Sequence, residues 1–261
     1  ITTSPAYNGT GTIAVAPGLA HALACGGSAT LSVLQAPFAA GATITTVALP
    51  GQVASYQTQA IGFTPSGRAF VYTTAGISVL DPPYSSSAFT LPVSGNGNSG
   101  ALAVSPDGNT LLVTKLTTVV EIFTAPFSAA STGSVLTIAG TAGLDGIQIT
   151  PDGTKALVAA VFAPLQAFAI SAPFTSGSLV EALPIPAACT GGFEDVGISA
   201  DGQLAVFTGN SAGARLPAAF VRAPFTAAGA TSFAVQLGSA GPPDTRGRGT
   251  GAVRFLPPGL A

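Results

Sequence analysis

Large apolar side chains recur at every second position in short runs along this chain, and the runs themselves recur. Six stretches follow one phrase: Thr12-Ile13-Ala14-Val15-Ala16-Pro17, Ala60-Ile61-Gly62-Phe63-Thr64-Pro65, Ala101-Leu102-Ala103-Val104-Ser105-Pro106, Gly146-Ile147-Gln148-Ile149-Thr150-Pro151, Asp195-Val196-Gly197-Ile198-Ser199-Ala200 and Ala252-Val253-Arg254-Phe255-Leu256-Pro257. In each, the fourth and second residues before the closing Pro or Ala are large and apolar, and the residue between them is mostly Ala or Gly. Alternation of period two predicts a strand with two unlike faces. The small residues suit an inner strand crowded near an axis. The phrases close at positions 17, 65, 106, 151, 200 and 257, in steps of 48, 41, 45, 49 and 57, a spacing that suits one propeller blade.

Each phrase is followed by a tight turn, as in Pro65-Ser66-Gly67, Pro106-Asp107-Gly108, Pro151-Asp152-Gly153 and Ala200-Asp201-Gly202. Pro presets φ, Asp bonds the backbone ahead and Gly accepts a positive φ. A second strand comes next (Leu111 to Thr114, Ala156 to Ala159, Ala205 to Thr208). The third strand ends on Pro37-Phe38, Pro83-Tyr84, Pro126-Phe127, Pro173-Phe174 and Pro224-Phe225. There the Pro withholds an N–H from the ladder, and the ring is placed to fold back as a plug. A fourth strand such as Ser134 to Ile138 completes the unit. No stretch of ten or more residues has helical periodicity with caps, so essentially no helix is expected.

The prediction is an all-β chain: a β-propeller of four-stranded antiparallel blades in one domain over residues 1–261. Five full repeats (about 11–58, 59–99, 100–144, 145–193 and 194–249) are followed by one extra inner strand in 250–261. Closure as five blades with a surplus strand is favoured. Six blades with an abbreviated last one, or pairing of Thr250 to Leu256 with another molecule, are the alternatives.

The run from Leu136-Thr137-Ile138-Ala139-Gly140 through Gly146-Ile147-Gln148-Ile149-Thr150-Pro151-Asp152-Gly153-Thr154-Lys155-Ala156-Leu157-Val158-Ala159 resembles the YVTN-type propeller repeat, related to the TolB-like and lactonase-like propellers. The likeness extends from about residue 11 to the end, without the Tyr-Val-Thr-Asn signature itself. It implies that functional residues cluster around a central channel. They would lie on the face formed by the loops leading into each inner strand and those between second and third strands.

Composition narrows the partners. Only 7% of residues are charged, against roughly a quarter in ordinary soluble proteins, and the net charge is −2. Neither a nucleic-acid backbone nor an anionic membrane surface is an expected partner, and Arg246, Arg248 and Arg254 are too few to change that. Mean hydropathy is high at +0.56, yet polar residues, Gly or Pro interrupt every apolar run before the roughly 20 residues a spanning helix needs. The chain has no Met and opens on Ile1, so a processed chain or a fragment is expected, extracellular or at the cell surface. Asn8-Gly9-Thr10 fits the N-glycosylation pattern, which matters only in a secreted eukaryotic protein.

Few residues carry candidate chemistry. Asp107, Asp152 and Asp201 are explained by their turns. Asp145, Glu194 and Asp195 fall where inner strands begin, with Asn98 and Gln59 near the same rim. Such oxygen ligands either hold Ca²⁺ or form a solvated acidic rim. His21 opens a second strand and has no nucleophile placed beside it, so it reads as structural. No histidine pair or Cys-x-x-Cys exists to bind zinc or haem. Cys25 and Cys189 are read either as a disulfide tying units one and five together or as two buried thiols. Gly95-Asn96-Gly97-Asn98-Ser99-Gly100 precedes no helix and is turn material.

The leading functional reading is a non-enzymatic scaffold that binds a protein partner, copies of itself or attached glycans. A lactonase-like hydrolase with a divalent ion at Asp145, Glu194 and Asp195 is the alternative. A carbohydrate-binding propeller is a further one, disfavoured by the absence of Trp and by only four Tyr.

Overall fold

The first five copies of the repeated phrase fold as the alternation demands, each forming the first strand of a four-stranded sheet. A computed structural model describes residues 12–235 apart from 40, 54–58, 95–99, 163–166, 190, 212–213 and 216–217. Asn8, Asn98, the Arg246, Arg248 and Arg254 group, and the sixth phrase lie outside the described residues.

The first sheet runs β1 (Thr12–Val15), β2 (His21–Cys25), β3 (Thr30–Gln35), β4 (Ile44–Ala48), and the second β5 (Ile61–Phe63), β6 (Ala69–Thr73), β7 (Gly76–Leu80), β8 (Phe89–Leu91). The third comprises β9 (Leu102–Val104), β10 (Thr110–Thr114), β11 (Val119–Thr124), β12 (Ser134–Thr137), and the fourth β13 (Leu144–Ile149), β14 (Lys155–Ala160), β15 (Ala167–Ser171), β16 (Val180–Ala182). In the fifth, β17 (Asp195–Ile198), β18 (Leu204–Thr208), β21 (Ala218–Arg222) and β22 (Thr231–Val235) pair in that order. Between β18 and β21 stands a two-stranded hairpin, β19 (Asn210–Ser211) with β20 (Ala214–Arg215), which the repeat does not foretell. There is no helix among the described residues, and five antiparallel four-stranded sheets in simple meander order are the blades of a β-propeller.

The chain packs as two compact units, one of residues 1–113 with 121–134 and one of 114–120 with 135–261. In the first unit β1 lies beside β5, and β5 beside β9; in the second β13 lies beside β17. The small residue in the phrase explains the fit. A Cβ built on Gly62 would come within 2.6 Å of Leu102 Cδ1 and 3.1 Å of Val104 Cγ2, so the large side chains of one inner strand sit on the bare backbone of the strand before it.

All five Pro-aromatic elements carry a cis peptide bond: Ala36-Pro37, Pro82-Pro83, Ala125-Pro126, Ala172-Pro173 and Ala223-Pro224. In the second and third blades the ring that follows packs across to the preceding blade. Phe127 meets Phe70 edge-on at 5.0 Å, and Tyr84 meets His21 edge-on at 5.3 Å. His21 is thus part of the packing. The Tyr84 hydroxyl donates to the Gly67 carbonyl at 2.5 Å, which ties the plug to the turn of its own blade.

Buried and half-buried polar groups add ties between blades. Glu121 on β11 accepts from the Ser94 N–H and hydroxyl, each at 3.1 Å. Gln148 on β13 accepts from the Ile198 N–H of β17 at 2.6 Å. Glu181 joins Lys155 of its own sheet, at 3.4 Å, to the Ala227 N–H at 3.2 Å.

Candidate functional site

Two places qualify, one in each unit. In the second unit, the starts of the inner strands come together with the end of β10. The Thr114 hydroxyl donates to the Asp145 carbonyl, and the Leu116 N–H donates to the Leu144 carbonyl at 2.8 Å. Lys115 lies between them and is buried. On the other side of β13, the Gly146 N–H donates to the Glu194 carbonyl at 3.0 Å, which brings Asp145 level with Glu194 and Asp195. Asp145 and Asp195 are buried and Glu194 is half-buried. Asp195 Oδ1 accepts from the Val196 N–H at 2.9 Å. Asp195 also stands in register with Thr208 at the end of β18.

Asp145, Glu194 and Asp195 therefore share one end of two neighbouring sheets. Lys115 at the same end was not foreseen, because nothing in its local sequence separates it from a surface lysine. Gln59 is buried in the first unit, where its carbonyl accepts from the Leu102 N–H at 3.0 Å. A Ca²⁺ ion takes six to eight oxygen ligands. Among the described residues no three Asp, Glu, His or Cys side chains gather into a metal-binding set, so the described donors do not by themselves fit that ion.

The cysteines, read from sequence as a pair or as two thiols, are two buried thiols with no disulfide between them. Each packs into the apolar core of its own unit. Burial pushes the Cys25 thiol up to about 12, against a smaller opposing effect of the Thr12 backbone, and burial raises Cys189 as well. Neither is a reactive thiolate at neutral pH.

The second place is the face of the first blade. Ile13 is 65% exposed and Val15 48%, whereas Ile61, Leu102, Ile147 and Val196, the counterparts of Ile13, are 8%, 3%, 1% and 0% exposed. Phe38 is 48% exposed, whereas the equivalent Tyr84, Phe127 and Phe225 are buried. Leu19, 69% exposed, occupies the turn position where the other four blades have Gly67, Gly108, Gly153 and Gly202. Those glycines have φ between 69° and 91°, and Leu19 adopts φ 59°.

In the second blade the residues at these three repeat positions adjoin one another. Tyr84 lies against Phe63, with ring centroids 6.1 Å apart, and its hydroxyl lies 3.4 Å from a Cβ built on Gly67. Phe38, Val15 and Leu19 hold the same three positions in the first blade.

No family model matches the sequence, and no curated protein does. Among solved structures, the chain is similar to hydrazine synthase from Kuenenia stuttgartiensis (TM-score 0.64, 16% identity, 81% of this chain and 64% of that one). It is also similar to virginiamycin B lyase from Staphylococcus aureus (0.66, 11%, 90% and 73%). A third likeness is to a 6-phosphogluconolactonase-like protein from Bacteroides uniformis (0.63, 16%, 90% and 72%). The chain thus spans less than two thirds of the hydrazine synthase chain. At such low identity the likeness is one of fold, and the fold is the β-propeller.

Proposed function

We propose that this chain is a non-enzymatic, extracellular interaction module of the YVTN-type propeller group, which associates through an apolar blade face. The observation that carries the reading is the exposure of Ile13, Val15 and Phe38 at repeat positions that the other blades bury or half-bury. Contiguous exposed apolar residues mark interaction surfaces, and with only 7% charged residues little charge has to be stripped of water when this molecule meets a partner.

Hydroxyl-radical footprinting of the dilute chain tests the reading, with Ile61 and Phe127 as buried references in the same molecule. Ile13, Val15 and Phe38 are expected to be oxidised several-fold faster than those references. Equal protection of all five would overturn it. The lactonase-like alternative draws support from a lyase and a lactonase-like protein among the fold neighbours. That support concerns scaffold and not chemistry, and the strand-end carboxylates form no set of three.

A further inference from the structure

The blades act as internal controls for one another, and the outer strand of the third lacks a group that the fourth carries. The two blades align without a gap, Pro126 to Ile138 against Pro173 to Ile185. The Ser131 hydroxyl donates to the Pro126 carbonyl at 3.4 Å, and the Ser178 hydroxyl to the Pro173 carbonyl at 2.8 Å, so the loops are built alike. The alignment sets Ser134 where the fourth blade has Glu181.

In the fourth blade that carboxylate reaches the next one. Glu181 Oε1 accepts from the Ala227 N–H at 3.2 Å, and Ala227 directly follows Thr226, whose hydroxyl accepts the Gly229 N–H. The same place in the fourth blade's own loop, directly after Thr175, belongs to Ser176, and the Thr175 hydroxyl accepts the Gly177 N–H. No described residue accepts from the Ser176 N–H. Beside it lies a groove of about 680 Å³ lined by Leu136, Phe168, Ser176, Leu179, Val180 and Ala182 among others. Every lining residue is a described residue of the second unit, and none is charged.

The chemistry of the occupant follows from three features of this groove. Its β16 side is an edge strand, bonded to β15 only. The Leu183 N–H donates to the Ala167 carbonyl and the Ser171 N–H to the Leu179 carbonyl, both at 2.9 Å, so the intervening Val180 and Ala182 turn their N–H and C=O groups outward. Such an edge accepts another extended chain. Phe168 and Leu179, the latter 61% exposed, call for apolar side chains. The Ser176 N–H calls for an acceptor, and the neighbouring groove fills that role with a carboxylate, whose hydrogen bonds are the stronger kind. With no charged group in the lining, a single carboxylate enters without like-charge repulsion.

We infer that this groove docks an extended segment of a partner protein, which pairs with the edge of β16, lays apolar side chains on Phe168 and Leu179, and sets one Asp or Glu carboxylate on the Ser176 N–H. The inference goes beyond the first-blade reading and uses a different surface.

The probe is a labelled peptide, Leu-Val-Glu-Ala-Leu, a copy of residues 179–183, which supply the carboxylate in the fourth blade. Fluorescence anisotropy with the whole chain should show saturable binding with a dissociation constant between about 10 µM and 1 mM, the range of a short peptide held by few contacts. Ser176→Pro removes the N–H and should weaken binding about tenfold, the scale of a hydrogen bond to a charged group. Ser176→Ala keeps it and should stay within about twofold. Exchanging the peptide's Glu for Gln should also cost about tenfold against the native chain, but less than about twofold against Ser176→Pro. At saturation Leu179 should be protected from hydroxyl radicals while Ile13 and Phe38 keep their oxidation rates.

The peptide exchange needs no altered protein, so a misfolded Ser176→Pro chain does not blunt the test. Absence of saturation up to about 5 mM peptide overturns the inference, as does binding that ignores both Ser176→Pro and the Glu-to-Gln exchange. Protection of Phe38 in place of Leu179 overturns it too. None of these results touches the first-blade reading, which falls only if Ile13, Val15 and Phe38 are protected in the free chain.

Discussion

Asp107, Asp152 and Asp201 do the same local work in three blades. Each carboxylate accepts from the hydroxyl two residues before it, of Ser105, Thr150 and Ser199 respectively, and from the backbone N–H two residues after it. The hydroxyl first, and then the backbone N–H, holds all three below the usual carboxylate range. In the second blade Ser66 replaces the acid and shares a hydrogen bond with Thr64 at 2.9 Å, so that turn does not titrate. A carboxylate whose folded pKa is depressed adds stability that is complete above its unfolded value, about 3.9. That stability disappears as pH falls through the folded value. The urea midpoint of the chain is therefore expected to be flat from neutral pH down to about pH 4.5 and to fall below it. Asp152→Asn should remove part of that acid-limb slope and leave the other two turns to supply the rest. An unchanged slope in Asp152→Asn would show that the turn is not a source of the acid sensitivity.

The same local sequence behaves differently from element to element, and this decides what could be read in advance. Ala-Pro-Phe ends the third strand in blades one, three, four and five, and its strand-stopping role was legible because withholding an N–H is a property of the residue. Whether the ring is buried is a property of what stands beside it, so Phe127 and Phe38 could not be told apart from their sequences. Their mutational costs should differ accordingly. Phe127→Ala removes a ring packed edge-on against Phe70 and is expected to cost about 3–5 kcal/mol. Phe38→Ala, measured on the dilute chain, should stay within about 0.5 kcal/mol; equal costs for the two would mean that Phe38 is covered.

The strand-end acids sit at neighbouring strand starts for a related reason. The period of two fixes which residue opens each inner strand, and β13 and β17 are neighbours. Lys115 and Glu121 were missed because neither belongs to a repeated phrase. The hydrogen-bond partner of Glu121, Ser94, is 27 residues away in sequence. Leu19 was visible as the residue at the glycine position of the turn, but its meaning needed both the backbone angle and the exposure.

At the scale of the whole molecule, the distribution of charge matters more than its sum. A net charge of −2 repels weakly at any separation, and every one of the 18 charged side chains lies after residue 67. An interface made by the first blade therefore excludes the groups whose interactions salt would screen, while its apolar area is governed by water. The dissociation constant of a complex formed through the first blade is expected to change less than about twofold between 50 and 500 mM sodium chloride, where the Debye length falls from roughly 14 to 4 Å. Sodium sulfate, which strengthens apolar burial by exclusion from the surface, should tighten the complex over the same range of ionic strength. An association driven by the charges beyond Arg68 would respond in the opposite way, weakening steeply in chloride. Sedimentation in the two salts thus separates an apolar first-blade contact from an ionic one without any mutation.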